Sequence, residues 1–345
     1  TYLNGQQIGQ TGYQYPPRRY DIPEGLLREG DNVITVRFIN KYGMVHFIPE
    51  KPYLIAFGDD RCSQNPMPKD VIPLSEEWKF SVGAEMPNCP SGDISLQNIP
   101  TTLYNAVLYP LAPYALSGVV WYQGESNTGN PAPYADYLKK LMGCWRDCWQ
   151  DQQMPFVIVQ LANYDGRQQT AFPRPITLQT EPVNSGWAQL REAQRLRVKS
   201  DARAELAVIN DLGETVDIHP LRKKEVAERI GICFDRLVYN NKVNLAPEVT
   251  ASEMKDNKIV LTLDQPVEAG EIYSFEVAAR DGDCVFQNVK AHAEGNKITL
   301  TLPKDFHPLS KVYAVRYAWK DNPIMANVRS LAGLPMSSFE ISINK

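Results

Sequence analysis

The sequence contains 345 residues, of which 43% are hydrophobic and 22% charged, a composition typical of globular protein. A chain of this length can form two or three domains, each with its own core. The formal net charge of −4 gives no reason to expect nucleic acid or an anionic membrane as a partner. No apolar run approaches the roughly 20 residues needed to cross a bilayer. The six cysteines and four histidines show no metal-ligand spacing, so we expect no metal site.

The first part of the chain, residues 1–88, is predicted to form a β domain. Asn4-Gly5 follows a short apolar stretch and is a strong hairpin-turn signal. Residues 32–40 alternate well enough for a strand packed on one face, and residues 77–82 form a further candidate strand.

Residues 89–242 change to a pattern of alternating strands and helices. The predicted strands cover residues 119–122, 156–161 and 206–210, and the predicted helices cover residues 134–149, 187–199 and 223–239. Strands that are separated by helices pair in parallel, so this region is predicted to be a layered α/β domain.

Residues 243–345 lose the helical periodicity and are predicted to form a β-sandwich. Short strand-like segments are separated there by turn signals such as Asp281-Gly282. The predicted strands cover residues 258–263, 273–278, 297–302 and 312–319.

A polar cluster follows the predicted strand at residues 119–122. Open α/β sheets place their ligand sites at the carboxyl ends of their strands, where Gln123, Gly124, Glu125 and Asn127 stand. An amide and a backbone N–H can stabilise a developing oxyanion. The carboxylate of Glu125 is either the partner of a catalytic histidine or a solvated loop charge.

His219 is the histidine with the best setting for catalysis. It follows the predicted strand at 206–210, precedes a helix, and has Asp217 two residues away, which suits a general base. The alternative is a surface histidine that caps the helix. His46, His292 and His307 have no neighbours in sequence that suggest catalysis.

No serine has the sequence context of a nucleophile. Ser126 lies in Gly-Glu-Ser-Asn-Thr, which departs from the G-x-S-x-G elbow because Thr128 occupies the last position. Ser63 lies in a polar stretch without a strand-turn-helix pattern.

The chain nevertheless resembles the sialate O-acetylesterase family, carbohydrate esterases of the SGNH-hydrolase type. The resemblance rests on residues 103–105 and 110–115 (Leu-Tyr-Asn, Pro-Leu-Ala-Pro-Tyr-Ala), 118–127 (Gly-Val-Val-Trp-Tyr-Gln-Gly-Glu-Ser-Asn), 187–194 (Trp-Ala-Gln-Leu-Arg-Glu-Ala-Gln), 217–220 (Asp-Ile-His-Pro), 316–319 (Arg-Tyr-Ala-Trp) and 321–323 (Asp-Asn-Pro). It implies a flavodoxin-like, three-layer parallel α/β domain at 89–242, flanked by a galactose-binding-like β domain and a C-terminal β-sandwich. It also implies a serine acyl-enzyme mechanism with neither metal nor cofactor.

The resemblance assigns roles to the residues singled out above. His219 is the general base, its acidic partner is Asp217 or Glu125, and Gln123, Gly124 and Asn127 line the oxyanion and substrate site. The family pattern D-x-x-H becomes D-x-H here, since Val216 stands three residues before His219. Both carboxylates therefore remain candidates.

The family's nucleophile motif, Gly-Gln-Ser-Asn-Met, does not occur in residues 1–345. We expect it on an N-terminal piece, truncated or present as a separate chain, so the sheet should be incomplete at its N-terminus. The expected function is removal of O-acetyl groups from sialic acid or related sugars in a secreted, periplasmic or lysosomal setting. Acetylxylan or another polysaccharide ester is an alternative substrate, and an inactive sugar-binding fragment is the alternative of another class.

Overall fold

A computed structural model shows how these segments fold. The structure describes residues 1–12, 17–40, 45, 47, 51–57, 70–74, 77–87, 96–166, 181–279, 285–303 and 312–344. His46, His307 and Ser63 lie outside these ranges. The chain divides into two compact units, Thr1–Pro90 and Ser91–Lys345.

The first unit contains short antiparallel strands. They are β1 (Tyr2–Leu3), β2 (Gln6–Gln7), β3 (Ile34–Thr35), β4 (Leu54–Ala56) and β5 (Val71–Pro73). The predicted hairpin is confirmed: β1 pairs with β2, and both Asn4 and Gly5 adopt positive φ, as its two-residue turn requires. The strand predicted at 32–40 is reduced to β3, and the strand predicted at 77–82 is wrong, because those residues form no regular structure.

The second unit has three short helical turns, at Leu96–Asn98, Tyr104–Leu108 and Tyr109–Leu111, and then follows the predicted α/β pattern. Its elements are β6 (Val119–Trp121), α1 (Tyr134–Trp149), β7 (Phe156–Val159), α2 (Gly186–Lys199), β8 (Ala204–Ala207) and α3 (Lys223–Leu237). The three strands form a parallel sheet in the order β6-β7-β8, which confirms an α/β fold with parallel pairing.

Helices cover both faces of this sheet. On one face, Val119, Phe156 and Ile158 share an apolar core with α1 and α2. On the other face, Val157 and Val159 pack against α3. The central strand β7 is therefore completely buried, whereas Val120 on β6 is 43% exposed. Among the described residues, β6 pairs only with β7 and so lies at one edge of this sheet.

The rest of the second unit is antiparallel. Its strands are β9 (Val249–Lys255), β10 (Lys258–Leu263), β11 (Gly270–Ile272), β12 (Phe275–Ala279), β13 (Gln287–Asn288), β14 (Lys290–Glu294), β15 (Lys297–Thr301), β16 (Val312–Tyr317) and β17 (Phe339–Asn344). They form two sheets, β11-β14-β15-β10-β9 and β13-β12-β16-β17. Side chains of both sheets, among them Leu261, Leu300, Phe275 and Phe339, share one apolar core.

Candidate functional site

The polar cluster turns away from β6 at Gly124. This residue has φ of +154°, and the chain then forms a single 3₁₀ turn, Glu125–Asn127. A Cβ at Gly124 would lie 2.7 Å from Cδ2 of Leu190 and 3.2 Å from Cδ2 of Leu161. Both the backbone conformation and the lack of space therefore require glycine.

Gln123 is held by a set of hydrogen bonds. Its Nε2 donates to Oδ1 of Asn127 at 2.9 Å. The hydroxyl of Tyr134 lies 2.8 Å from its carbonyl oxygen and 3.2 Å from Oε1. Nε2 of Gln194 donates to the same carbonyl at 3.2 Å. The structure thus brings the side chains of Gln123 and Asn127 into contact across the turn at Gly124.

Sequence reasoning did not identify Gln194 as part of this region. Its fully buried side chain also donates to the carbonyl of Val159 at 3.3 Å and accepts the N–H of Leu161 at 3.1 Å. It connects α2 to the carboxyl ends of two strands. The sequence did contain a signal for this residue, since it places an amide on the packed side of the amphipathic helix α2. A buried polar group of this kind needs hydrogen-bond partners.

His219 and Asp217 are in contact. Oδ1 of Asp217 lies 3.4 Å from Nδ1 of His219 and accepts the backbone N–H of His219 at 3.0 Å. The Asp217 side chain is 9% exposed and the His219 side chain 52%. A buried carboxylate on Nδ1 leaves Nε2 as the nitrogen that can accept a proton, which is the arrangement of a general base.

Lys223 links the two halves of the site. Its Nζ lies 3.4 Å from the hydroxyl of Tyr122 and 4.8 Å from the centre of the same ring. Burial lowers the pKa of Lys223, and the carboxylates of Glu125, Glu214 and Asp217 oppose that shift. Because one ammonium group senses all three carboxylates, the Glu125 and Asp217 regions lie within electrostatic range of the same cation. Sequence reasoning missed Lys223 as well.

The ionisation of Tyr122 is also perturbed. Burial, helped by the charge of Glu125, raises the pKa of Tyr122 to about 12. The phenol is therefore neutral near pH 7 and retains its hydrogen for donation. Ser126, on the 3₁₀ turn, is exposed.

The described residues contain neither a candidate metal-binding cluster nor a candidate membrane-spanning helix. No group of three or more histidine, cysteine or carboxylate side chains there is arranged to hold a metal ion. No helix in that part of the chain has both the length and the apolar character needed to cross a membrane.

Comparisons with known proteins agree on one family. Residues 92–205 match the model for carbohydrate esterase, sialic acid-specific acetylesterase. Sialate O-acetylesterase of Mus musculus is 28% identical over 244 residues, which is 65% of this chain and 43% of that protein. The Homo sapiens protein of the same name is 27% identical over 245 residues, covering 65% and 44%.

A solved structure extends the likeness to three dimensions. A carbohydrate acetylesterase from Xanthomonas citri is 30% identical, with a TM-score of 0.60, and the match covers 69% of this chain and 53% of that one. The chain thus spans less than half the length of the curated relatives it matches.

Proposed function

Because the chain belongs to the sialic acid-specific acetylesterase family of carbohydrate esterases, we propose that it forms part of an esterase that removes O-acetyl groups from sialic acid or related sugars. The observation that carries the proposal is the contact between Asp217 and His219. The carboxylate of Asp217 acts on the same ammonium group, that of Lys223, as the carboxylate of Glu125 in the Gln123–Asn127 cluster. A base with an orienting acid, beside hydrogen-bond donors at the carboxyl edge of a parallel sheet, suits acyl transfer.

The proposed reaction has two half-reactions. Nε2 of His219 accepts the proton of a serine hydroxyl while the serine oxygen attacks the acetyl carbonyl carbon. The C–O bond to the sugar then breaks, and the sugar oxygen takes the proton from His219. Water then attacks the carbonyl carbon of the acetyl-serine while His219 takes a proton from it. The bond from that carbon to the serine oxygen breaks, the serine oxygen takes the proton from His219, and acetic acid leaves and ionises to acetate. Gln123 Nε2 and the N–H of Gly124 donate to the oxyanion in both halves.

The nucleophile is the part that this chain does not supply in a recognisable motif. We propose that it comes from polypeptide of the same gene product outside residues 1–345, as a strand added to the edge of β6. Two features support this. Among the described residues, β6 pairs only with β7, and Val120 leaves apolar surface exposed at that edge. Parallel sheets are normally covered on both faces, and open edges attract strands.

A strand paired in parallel with β6 would end beside Gln123, because carboxyl ends of parallel strands meet at one edge.

The proposal also includes assignments for the three domains and for the cellular compartment. They are a flavodoxin-like catalytic domain at 89–242, a galactose-binding-like domain at 1–88, a β-sandwich at 243–345 and a secreted, periplasmic or lysosomal compartment, which cell fractionation would test.

Acetate release from O-acetylated sialic acid and from acetylxylan, by the full-length gene product and by the 345-residue chain, tests the proposal. His219→Ala should lower kcat by roughly a hundred- to ten-thousand-fold in the active form. His292→Ala is the matched control, since His292 is an exposed residue of β14. Unchanged activity in His219→Ala would remove it as the base. If even the full-length protein binds acetylated sugar but releases no acetate, the sugar-binding alternative is correct.

A further inference from the structure

Residues 320–322, which we call the clamp segment, follow β16 and bind the α/β region. Nζ of Lys320 donates to Oε1 of Glu276 on β12 and to the carbonyl of Glu181, both at 2.7 Å. The hydroxyl of Ser185, which caps α2, donates to Oδ1 of Asp321 at 2.5 Å. The clamp segment therefore joins the antiparallel sheets to the start of α2.

Arg191 holds the same segment from inside α2. Its fully buried guanidinium donates to the carbonyl oxygens of Lys320 and Asp321 at 2.8 and 2.9 Å. It also donates to the carbonyls of Leu161 and Ala162, just beyond β7, at 2.8 Å each. The end of β7 and the clamp segment are thus fixed to one rigid side chain.

Asn322 extends this connection to the loop between β8 and α3, which carries Asp217. Its Oδ1 accepts Nδ2 of Asn163 at 2.9 Å, and its Nδ2 donates to Oγ1 of Thr215 at 3.0 Å. Oδ1 of Asn163 accepts the N–H of Gly213 at 2.7 Å. All three side chains, Asn163, Thr215 and Asn322, are buried. We call these three hydrogen-bonded residues the relay.

The relay acts on a segment that has no regular structure of its own. Residues 208–222 lie between β8 and α3 and belong to neither. Gly213 approaches Asn163 so closely that a Cβ there would clash with the Asn163 carbonyl oxygen. The carbonyl of Thr215 accepts the N–H of Asp165 at 2.8 Å. Thr215 is therefore anchored by backbone and side chain two residues before Asp217.

From this geometry we propose that Asn163, Thr215 and Asn322 are positioning residues for the Asp217–His219 pair. The proposal rests on the function proposed above. Half of the His219 side chain is exposed, so its orientation depends on the carboxylate beneath it. A displacement of about 1 Å can cost a hundred-fold in rate. Buried polar partners hold such a loop firmly because an unmade bond in the interior is costly.

A matched pair of substitutions at Thr215 separates positioning from packing. Thr215→Val keeps the shape and removes the hydroxyl, whereas Thr215→Ser keeps the hydroxyl and removes a methyl group. In the full-length protein we expect Thr215→Val to lower kcat by roughly a hundred-fold with KM unchanged, and Thr215→Ser to remain close to the native protein. Thr250→Val, at an exposed position of β9, is the control.

Hydrogen–deuterium exchange of the same full-length variants supplies a measurement that does not need activity. Thr215→Val should raise exchange in residues 211–219 and leave β7 and β8 unchanged. Unchanged exchange in 211–219, or a larger loss of kcat in Thr215→Ser than in Thr215→Val, would overturn the proposal. Native protein that releases no acetate would instead refute the function, and the exchange result would still decide whether the relay holds the loop.

Discussion

Oδ1 of Asp217 contacts His219 twice, at the ring nitrogen Nδ1 (3.4 Å) and at the backbone N–H (3.0 Å). The backbone contact is an Asx turn, in which an aspartate accepts the N–H two residues later. This local turn explains how a D-x-H spacing brings the acid beside the ring without the third residue of a D-x-x-H pattern. We therefore favour Asp217 over Glu125 as the acidic partner.

Replacing each carboxylate by its amide tests that choice. Asp217→Asn keeps the shape of the side chain and removes the charge that stabilises a protonated His219, so kcat should fall by about 10⁴-fold. Glu125→Gln should lower kcat much less. The comparison of kcat for acetate release decides between them, and a larger loss in Glu125→Gln would assign the role to Glu125.

Gly124→Ala should destabilise the protein and impair the site. A side chain there has to adopt φ of +154° and would approach Leu190, which we expect to cost about 1–3 kcal/mol in free energy of unfolding. Urea denaturation measures the loss. The control is Gly129→Ala, where no other part of the described chain comes within 4 Å of the added Cβ. Equal stability of the two variants would contradict the strain assigned to Gly124.

The helices were predictable because their signals are local. Helix α1 occupies the predicted residues 134–149, since its apolar spacing is regular and Gln150 ends it in a left-handed conformation. Strand ends were less predictable. The strand predicted at 206–210 lies at Ala204–Ala207, because Val208 and Ile209 are buried without joining the ladder. An apolar run alone does not distinguish buried strand from buried loop.

The Gln123 cluster and the His219 region of the candidate site could both be located from sequence. The tertiary contacts that connect such distant segments could not. Gln123 and His219 each follow a predicted strand, which is a pattern of neighbouring residues. The contact of Lys223 with Tyr122, and that of Asn322 with Asn163, connect residues far apart in the chain. Such contacts depend on tertiary packing and leave no periodicity to read.

Asp211 should make stability depend on acid pH. Burial disfavours its charge, but hydrogen bonds and charges from Arg229 and Arg329 outweigh burial and hold the pKa of Asp211 below its usual value. Because the folded-state pKa is the lower one, the carboxylate stabilises the fold above its unfolded pKa of about 3.9. This stabilisation is lost as pH falls through the folded-state value.

We therefore expect Asp211→Asn to reduce the free energy of unfolding by about 1.5–3 kcal/mol at pH 7. The difference from the native protein should shrink as the pH falls below 4. Denaturation curves at a series of pH values measure it. Glu228→Gln, which removes an exposed ion pair with Lys224, should change stability by at most about 1 kcal/mol. A pH-independent loss in Asp211→Asn would show that the charge of Asp211 is not the cause.

Cys144 on α1 and Cys233 on α3 should differ sharply in their reactivity toward a thiol reagent. Cys233 on α3 is 2% exposed, and burial raises its pKa to about 12, whereas Cys144 on α1 is exposed. Since the thiolate is the reacting form, a maleimide at pH 7 should label Cys144 in native protein and Cys233 only after denaturation. Peptide mass spectrometry reports both sites, and Cys144→Ser serves as the control for assignment. Labelling of Cys233 at the rate of Cys144 in native protein would mean that the α3 face of the sheet opens readily.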